Sequence, residues 1–376
     1  MFDGGGHLMG LAFVPAPLAT LPWRMLWIVT ALGGAGVLGL YSAAGGFMMP
    51  WALPHLVRFL VFLGLALALA RFRPQTFHDF AFFAYIGGIL LLILTLMLGV
   101  IGGGARSWLD FGFVRIQPSE LMKPIIVLTL ARFYAHVPPA EIRRLWAMWP
   151  LAAILGPPLL LIILQPDLGT MMLIVLNTIA LMFLAGLPLS WFIGGALAVG
   201  AALPIVYSFL LPHQQDRVLI FLNPETDPLG AGYHLTQSKI AIGSGGVFGK
   251  GFLNGTQSHL HYLPEQHTDF IFSAIAEEWG LIGGCVLILL FFLLLRWGMS
   301  VALEAKGRFE RLAAAGLTLT IFFYIAVNLM MVMGLAPVVG IPLPLVSYGG
   351  SAMLTVMICL GILMAIERNT RGERRP

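Results

Sequence analysis

Charged side chains are what this sequence most lacks. Asp, Glu, Lys and Arg make up 10% of its 376 residues, against 59% hydrophobic residues. A soluble domain is about a quarter charged. A fully water-facing surface is therefore excluded for a chain of this length, and an integral membrane protein is expected. Cysteine is nearly absent as well. Cys285 and Cys359 both lie in apolar runs, which points to packing positions rather than a disulfide. Metal-binding Cys/His spacings, coiled-coil heptads and low-complexity tails are missing. The first 23 residues carry one acid and no Lys or Arg, so a secretory leader with a basic n-region is not expected.

What the sequence has is long apolar runs. A spanning helix needs about 20 mostly apolar residues. Ten segments meet this, at 24–46, 52–71, 80–101, 118–135, 146–164, 168–187, 189–211, 269–295, 310–334 and 350–367. The expected fold is all-α, a single polytopic membrane domain over residues 1–376 with a long loop, 212–268, between the seventh and eighth spans. An even number of spans puts both termini on one side, and the positive-inside rule selects which. With cytoplasmic termini, inside segments hold 14 of the Lys and Arg residues and outside segments hold six, with Arg58 left inside a span. The net charge of +4 is then a topology signal, and no nucleic acid is implied.

The acids run the other way. Asp110, Glu120, Asp167, Asp216, Glu225, Asp227, Glu265 and Asp269 all fall in outer segments or at the outer ends of spans. In "QPSELMK", Pro118 opens a helix with Glu120 in its first turn, and Lys123 lies one turn on, on the same face. Either a charge pair that eases insertion or a substrate contact fits this spacing. "QPDLGT", 165–170, reads as a tight turn capped by Asp167, on the same side as the other charges. The stretch "GYHLTQSKIAIGSGGVFGKG" begins like an amphipathic helix and ends in glycines. It is not a P-loop, because Lys250 is followed by Gly and no Gly stands at the required spacing before it. The five loop histidines, His213, His234, His259, His261 and His267, lack zinc spacing.

Asp269 begins the eighth span and suits a helix-capping role. Glu277 and Glu278 lie deeper, where a charge costs at least ~2.5–3.5 kcal/mol. Adjacent helical residues project about 100° apart. The two acids are therefore expected to bond to different partners, in a structural role ahead of a catalytic one. The uncharged loop "APVVGIPLPLVSYGGSA", 336–352, reads as a stiff connector, or as a cap over a cavity with Ser347 and Tyr348 supplying hydroxyls.

These motifs resemble a known family. "HYLPEQHTDFIFSAIAEEWG", "GARSWLDFG", "QPSELMK", "QPDLGT", "GYHLTQSKIAIGSGG" and "PLPLVSYGGSAM" are similar, in order, to the signatures of the SEDS proteins (shape, elongation, division and sporulation). The forms here are more like the elongation branch than the division branch. Gln266 and Ser273 depart mildly, standing where relatives often carry Arg and Ala. The resemblance implies a fold similar to GT-C-type glycosyltransferases. It also implies polymerisation of lipid II into peptidoglycan glycan strands on the outer face of the bacterial cytoplasmic membrane. The partners implied are lipid II and undecaprenyl-diphosphate-linked glycan, a class B penicillin-binding protein and other elongation-complex membrane proteins. The resemblance makes Asp269 the catalytic residue. Substrate contacts are expected from Arg106, Glu120, Lys123, Asp167, Lys239, His267 and Ser347. Glu120, Asp167 and Asp269 are candidate ligands for Mg²⁺ or Mn²⁺. Rival readings are a flippase for lipid-linked sugars and a scaffold that only recruits an enzyme.

Overall fold

In the computed structural model, the described residues are 21–102, 105–110, 112, 115–142, 148–209, 215, 219, 223, 231–256 and 266–372. Of the loop motifs, His213, Asp216, Glu225, Asp227, His259, His261 and Glu265 lie outside them. Helices α1 (Trp23–Ala43), α2 (Ala52–Leu69) and α3 (Pro74–Leu98) lead into a small sheet of β1 (Val100–Gly102), β2 (Ala105–Asp110) and β3 (Arg115–Ile116). Next come α4 (Pro118–His136), the single turn α5 (Pro139–Ile142), α6 (Met148–Leu164), α7 (Leu168–Ala185) and α8 (Leu189–Phe209). The chain ends with α9 (Ala231–Ser244), α10 (Ile271–Glu304), α11 (Arg308–Val332) and α12 (Gly350–Gly372). Ten of these described helices fall where the ten spans are expected, and α9 takes up the amphipathic stretch of the long loop.

Among the described residues, seven helices are long and apolar enough to cross a membrane: α1, α2, α3, α7, α10, α11 and α12. The apolar parts of α6 and α8 are shorter. Helix α4 carries Glu120, Lys123 and Arg132, and it buries the first two by packing against α3, α7 and α11. The chain is a multi-pass membrane protein. Helices α11 and α12 are mostly buried, whereas α2 and α3 keep most of their apolar surface on the outside, as lipid contact requires.

The sheet was not anticipated. Its strands pair antiparallel in the order β1-β2-β3, with Val100 opposite Trp108 and Asp110 opposite Arg115. Strand alternation puts Arg106, Trp108 and Asp110 on one face while Ser107 and Leu109 are buried on the other. Asp110 accepts from the Gly112 N–H (2.8 Å) and from Arg115 (2.8 Å), which close the β2–β3 turn. These two donors hold its carboxyl below the usual carboxylate range.

Helix α10 is broken at Gly280, whose φ of 67° and ψ of −165° are non-helical. The break orphans two carbonyls and two N–H groups in what is otherwise a spanning helix. The glycine-rich turn after α9 takes up all four. Lys250 N donates to Glu277 O (3.0 Å) and Gly251 N to Glu278 O (3.0 Å). Leu281 N donates to Gly246 O (2.9 Å) and Ile282 N to Val247 O (3.2 Å). This satisfies backbone groups for which hydrocarbon offers no partner. A Cβ on Gly249 would lie 2.1 Å from Glu278 O, so only glycine lets the turn approach this closely.

The same clasp resolves the intramembrane acids. Glu277 is fully buried, and its Oε1 accepts from Lys250 Nζ (2.7 Å), Thr256 N (2.9 Å) and Thr256 Oγ1 (3.0 Å). Glu278 turns the other way and accepts from Ser42 of α1. The expected structural role and the divergence of the pair are both observed. Gly280→Ala is expected to destabilise the protein. Left-handed backbone costs a non-glycine residue about 1–3 kcal/mol, and the new Cβ would lie 2.3 Å from Gly249 N. Thermal unfolding of the detergent-purified protein checks this; an unchanged melting temperature would contradict the clasp.

Candidate active site

One end of the bundle holds a cavity of about 200 Å³. The turn before α10 contributes Thr268 and Asp269, the start of α4 contributes Gln117 and Glu120, and the turn before α7 contributes Asp167. The loop between α11 and α12 folds across it with Val339, Gly340, Ile341, Pro342, Tyr348 and Gly349. Of the two readings of that loop, the cap over a cavity is the one observed. Asn328 of α11 fastens the arrangement, donating from one amide nitrogen to Asp269 O (2.9 Å) and Ile341 O (2.7 Å).

Asp269 is only half-buried and sits one residue before the helix cap. The N-cap of α10 is Phe270, with no side-chain cap bond. Glu120 is buried: its Oε1 accepts from Lys123 Nζ (2.6 Å) and its Oε2 from the Tyr324 hydroxyl. Asp167 does cap α7, accepting from Thr170 N (3.1 Å) through Oδ1. Its Oδ2 accepts from Gln117 Nε2 (2.7 Å) and Ser119 Oγ (3.0 Å).

The three acids expected together, Glu120, Asp167 and Asp269, do line one cavity. All four oxygens of Glu120 and Asp167 already accept at least one hydrogen bond from the protein. Among the described residues, no group of three His, Cys, Asp or Glu side chains is placed to hold a metal ion.

Five other expected contacts are placed elsewhere. Lys123 is 2% exposed and lies beneath the cavity, bonded to Glu120 and to Tyr324 Oη (2.7 Å). Lys239 is exposed on α9 and rests against Gly334. Ser347 is buried within its own loop, its Oγ accepting from Leu343 N (2.8 Å). His267 stacks on Trp51 with ring centroids 4.4 Å apart, and its carbonyl accepts from Tyr348 N (2.9 Å). Arg106 is exposed on β2, two residues from Trp108 on the same strand face and outside the cavity lining. The two departures noted in sequence are structural as well. Gln266 donates to Ala43 O (3.1 Å), and Ser273 bonds Ser238 (2.7 Å), joining α10 to α9.

Sequence reasoning missed a second opening. A groove of about 1050 Å³ runs between α2, the sheet and the start of α12. It shares Trp108, Tyr348, Gly349 and Ser351 with the cavity, so the two are neighbours with these residues lining both. Leu53, Val57, Val61 and Phe62 of α2 give it an apolar wall. Arg58 enters it, its guanidinium 4.6 Å from the Tyr348 ring centre, and Arg115, paired with Asp110, also lines it. An isolated Arg in an apolar span was itself the available signal.

Residues 24–372 match the FtsW/RodA/SpoVE family of cell cycle proteins. The chain belongs to this family. Similar members include the peptidoglycan glycosyltransferase MrdB of Escherichia coli K12, 44% identical, covering 92% of this chain and 93% of MrdB. The peptidoglycan glycosyltransferase RodA of Treponema pallidum is 32% identical, covering 92% and 97%. Among solved structures, a chain described in work on polymerisation and crosslinking by a peptidoglycan synthase complex superposes with a TM-score of 0.82. It is 32% identical, and the match covers 94% of this chain and 99% of that one. The rod shape determining protein RodA of Thermus thermophilus gives 0.69 at 30% identity, covering 94% and 99%. The FtsW/RodA/SpoVE fold thus extends over nearly the whole chain.

Proposed function

We propose that this chain is a peptidoglycan glycosyltransferase that polymerises lipid II during cell elongation. The observation that carries the reading is a carboxylate-lined cavity beside an apolar, arginine-bearing groove, with four residues lining both, in a member of a family whose relatives bear that activity. The reaction joins a sugar hydroxyl to an anomeric carbon that leaves a lipid diphosphate. In our scheme the acceptor's GlcNAc 4-hydroxyl attacks the donor C1, the new C1–O4 bond forms, and the C1–O bond to the diphosphate breaks. An α-linked donor yields a β1,4 bond by this single inverting displacement. The hydroxyl needs a base, and Asp269 accepts its proton.

Glu120 and Asp167 are held by buried donors, which suits orienting sugar hydroxyls better than proton transfer. The departing diphosphate develops charge that fixed cations stabilise. Arg58 and Arg115 supply it, and the polyprenyl tail follows the apolar wall of α2. A Mg²⁺ or Mn²⁺ at this site would be held by carboxylates from among Asp269, Asp167 and Glu120 and would supply further positive charge for the departing diphosphate.

The Lys and Arg excess at the opposite end of the bundle supports cytoplasmic termini and an outward-facing site. The synthase-complex relative supports a class B penicillin-binding protein as partner. The test is incubation of the purified protein and that partner with labelled lipid II. A ladder of glycan strands is expected. Lipid II translocation across liposomes without any ladder would replace this reading with the flippase. Arg58→Gln is expected to raise the lipid II concentration for half-maximal rate several-fold with stability unchanged; an unaltered value would remove Arg58 from the diphosphate site.

A further inference from the structure

We propose that a second pocket, at the end of the bundle away from Asp269, binds the phosphate of an anionic phospholipid. This pocket of about 610 Å³ lies between the start of α1 and the ends of α10 and α12. Arg24, Arg296 and Arg371 reach it from these three helices, together with Glu304 and Glu367. Glu367 is committed: it accepts from Trp297 Nε1 (3.1 Å) and from Arg371. Arg24 and Arg296 are exposed, and neither is paired with a carboxylate among the described residues. Two guanidinium groups from different helices are thus left facing one space, the arrangement that grips a phosphate.

The surroundings favour a lipid headgroup over a soluble anion. Trp23 and Trp297 line the pocket, and indoles collect at the level of lipid headgroups. One turn toward the middle of the bundle the surface becomes apolar, with Trp27 70%, Leu289 53% and Phe292 57% exposed. Ile28 and Leu293 continue the pocket wall in that direction and give acyl chains a track. The pocket therefore straddles the boundary between a cationic rim and an apolar belt. Basic pockets between spanning helices at the cytoplasmic surface are where anionic headgroups bind.

The experiment titrates phosphatidylglycerol or phosphatidylcholine into the full-length protein in neutral detergent and reads retained lipid by native mass spectrometry. Preferential retention of phosphatidylglycerol is expected. Arg24→Gln/Arg296→Gln should weaken it by about 30-fold, which is ~2 kcal/mol at ~1 kcal/mol per cation. Arg24→Lys/Arg296→Lys, which keeps the charge but not the planar fork, should retain more affinity than the Gln pair and less than wild type. Arg71→Gln/Arg73→Gln, at the same end but outside the pocket, should leave retention unchanged. Equal retention of both lipids would overturn the proposal. So would equal losses in the two Gln double variants, which would mean diffuse surface charge. Displacement of the lipid by millimolar glycerol phosphate would assign the pocket to a soluble phosphate instead.

Discussion

Asp269→Asn is expected to extinguish glycan polymerisation while leaving the fold intact. A positioned general base contributes typically ~10²–10⁴-fold, so the ladder should fall below detection. The substitution is isosteric and removes only the charge and the basicity. The cap position of α10 belongs to Phe270, and the Asn328 bond goes to the backbone carbonyl of Asp269, which the variant keeps. The melting temperature should therefore match wild type. Ladders of equal strength in the two proteins would end the general-base assignment. A lost ladder accompanied by a large drop in melting temperature would point to folding rather than chemistry.

Lys123→Met should produce the largest loss of stability. The side chain is 2% exposed, and its ammonium is bonded to Glu120 Oε1 and Tyr324 Oη. Met keeps the length and removes the charge. A buried ion pair is no strong asset against an apolar pair, but removing one partner costs about 3–5 kcal/mol because the other charge is left uncompensated. Adding Glu120→Gln should restore a good part of that loss, the signature of coupled neighbours. Chemical denaturation in detergent reads both. If Lys123→Met is as stable as wild type, Glu120 does not depend on this cation.

The spanning helices were legible because hydrocarbon thickness imposes a length and a composition that few other segments meet. The Glu120–Lys123 contact was legible for a similar reason, since helical spacing of three fixes it locally. Direction across the bundle was not. Lys239 shares an end with Asp269, yet α9 turns it toward Gly334. Ser347 and Ser351 stand four residues apart in one motif, and only Ser351 lines the cavity. Spacing along the chain cannot separate such cases when packing against a distant helix decides them. Arg58 was visible as a cation stranded in an apolar run, but what it faces depends on the loop before α12. The clasp at Gly280 left only indirect marks, two acids and a glycine beside a glycine-rich run, because its hydrogen bonds join segments about thirty residues apart.

That clasp has a consequence for how the protein enters its membrane. Helix α9 has 14 residues, too few to cross a bilayer by itself. The turn that follows reaches roughly 14 Å along α10, at 1.5 Å per residue. Its backbone groups find partners there only after α10 is in place, yet the ribosome makes α9 first. The glycine-rich turn therefore closes on α10 only as a late step, after that helix has been made. Its glycines serve assembly, and the acid-bearing turn above acquires its final position only when that late step is complete.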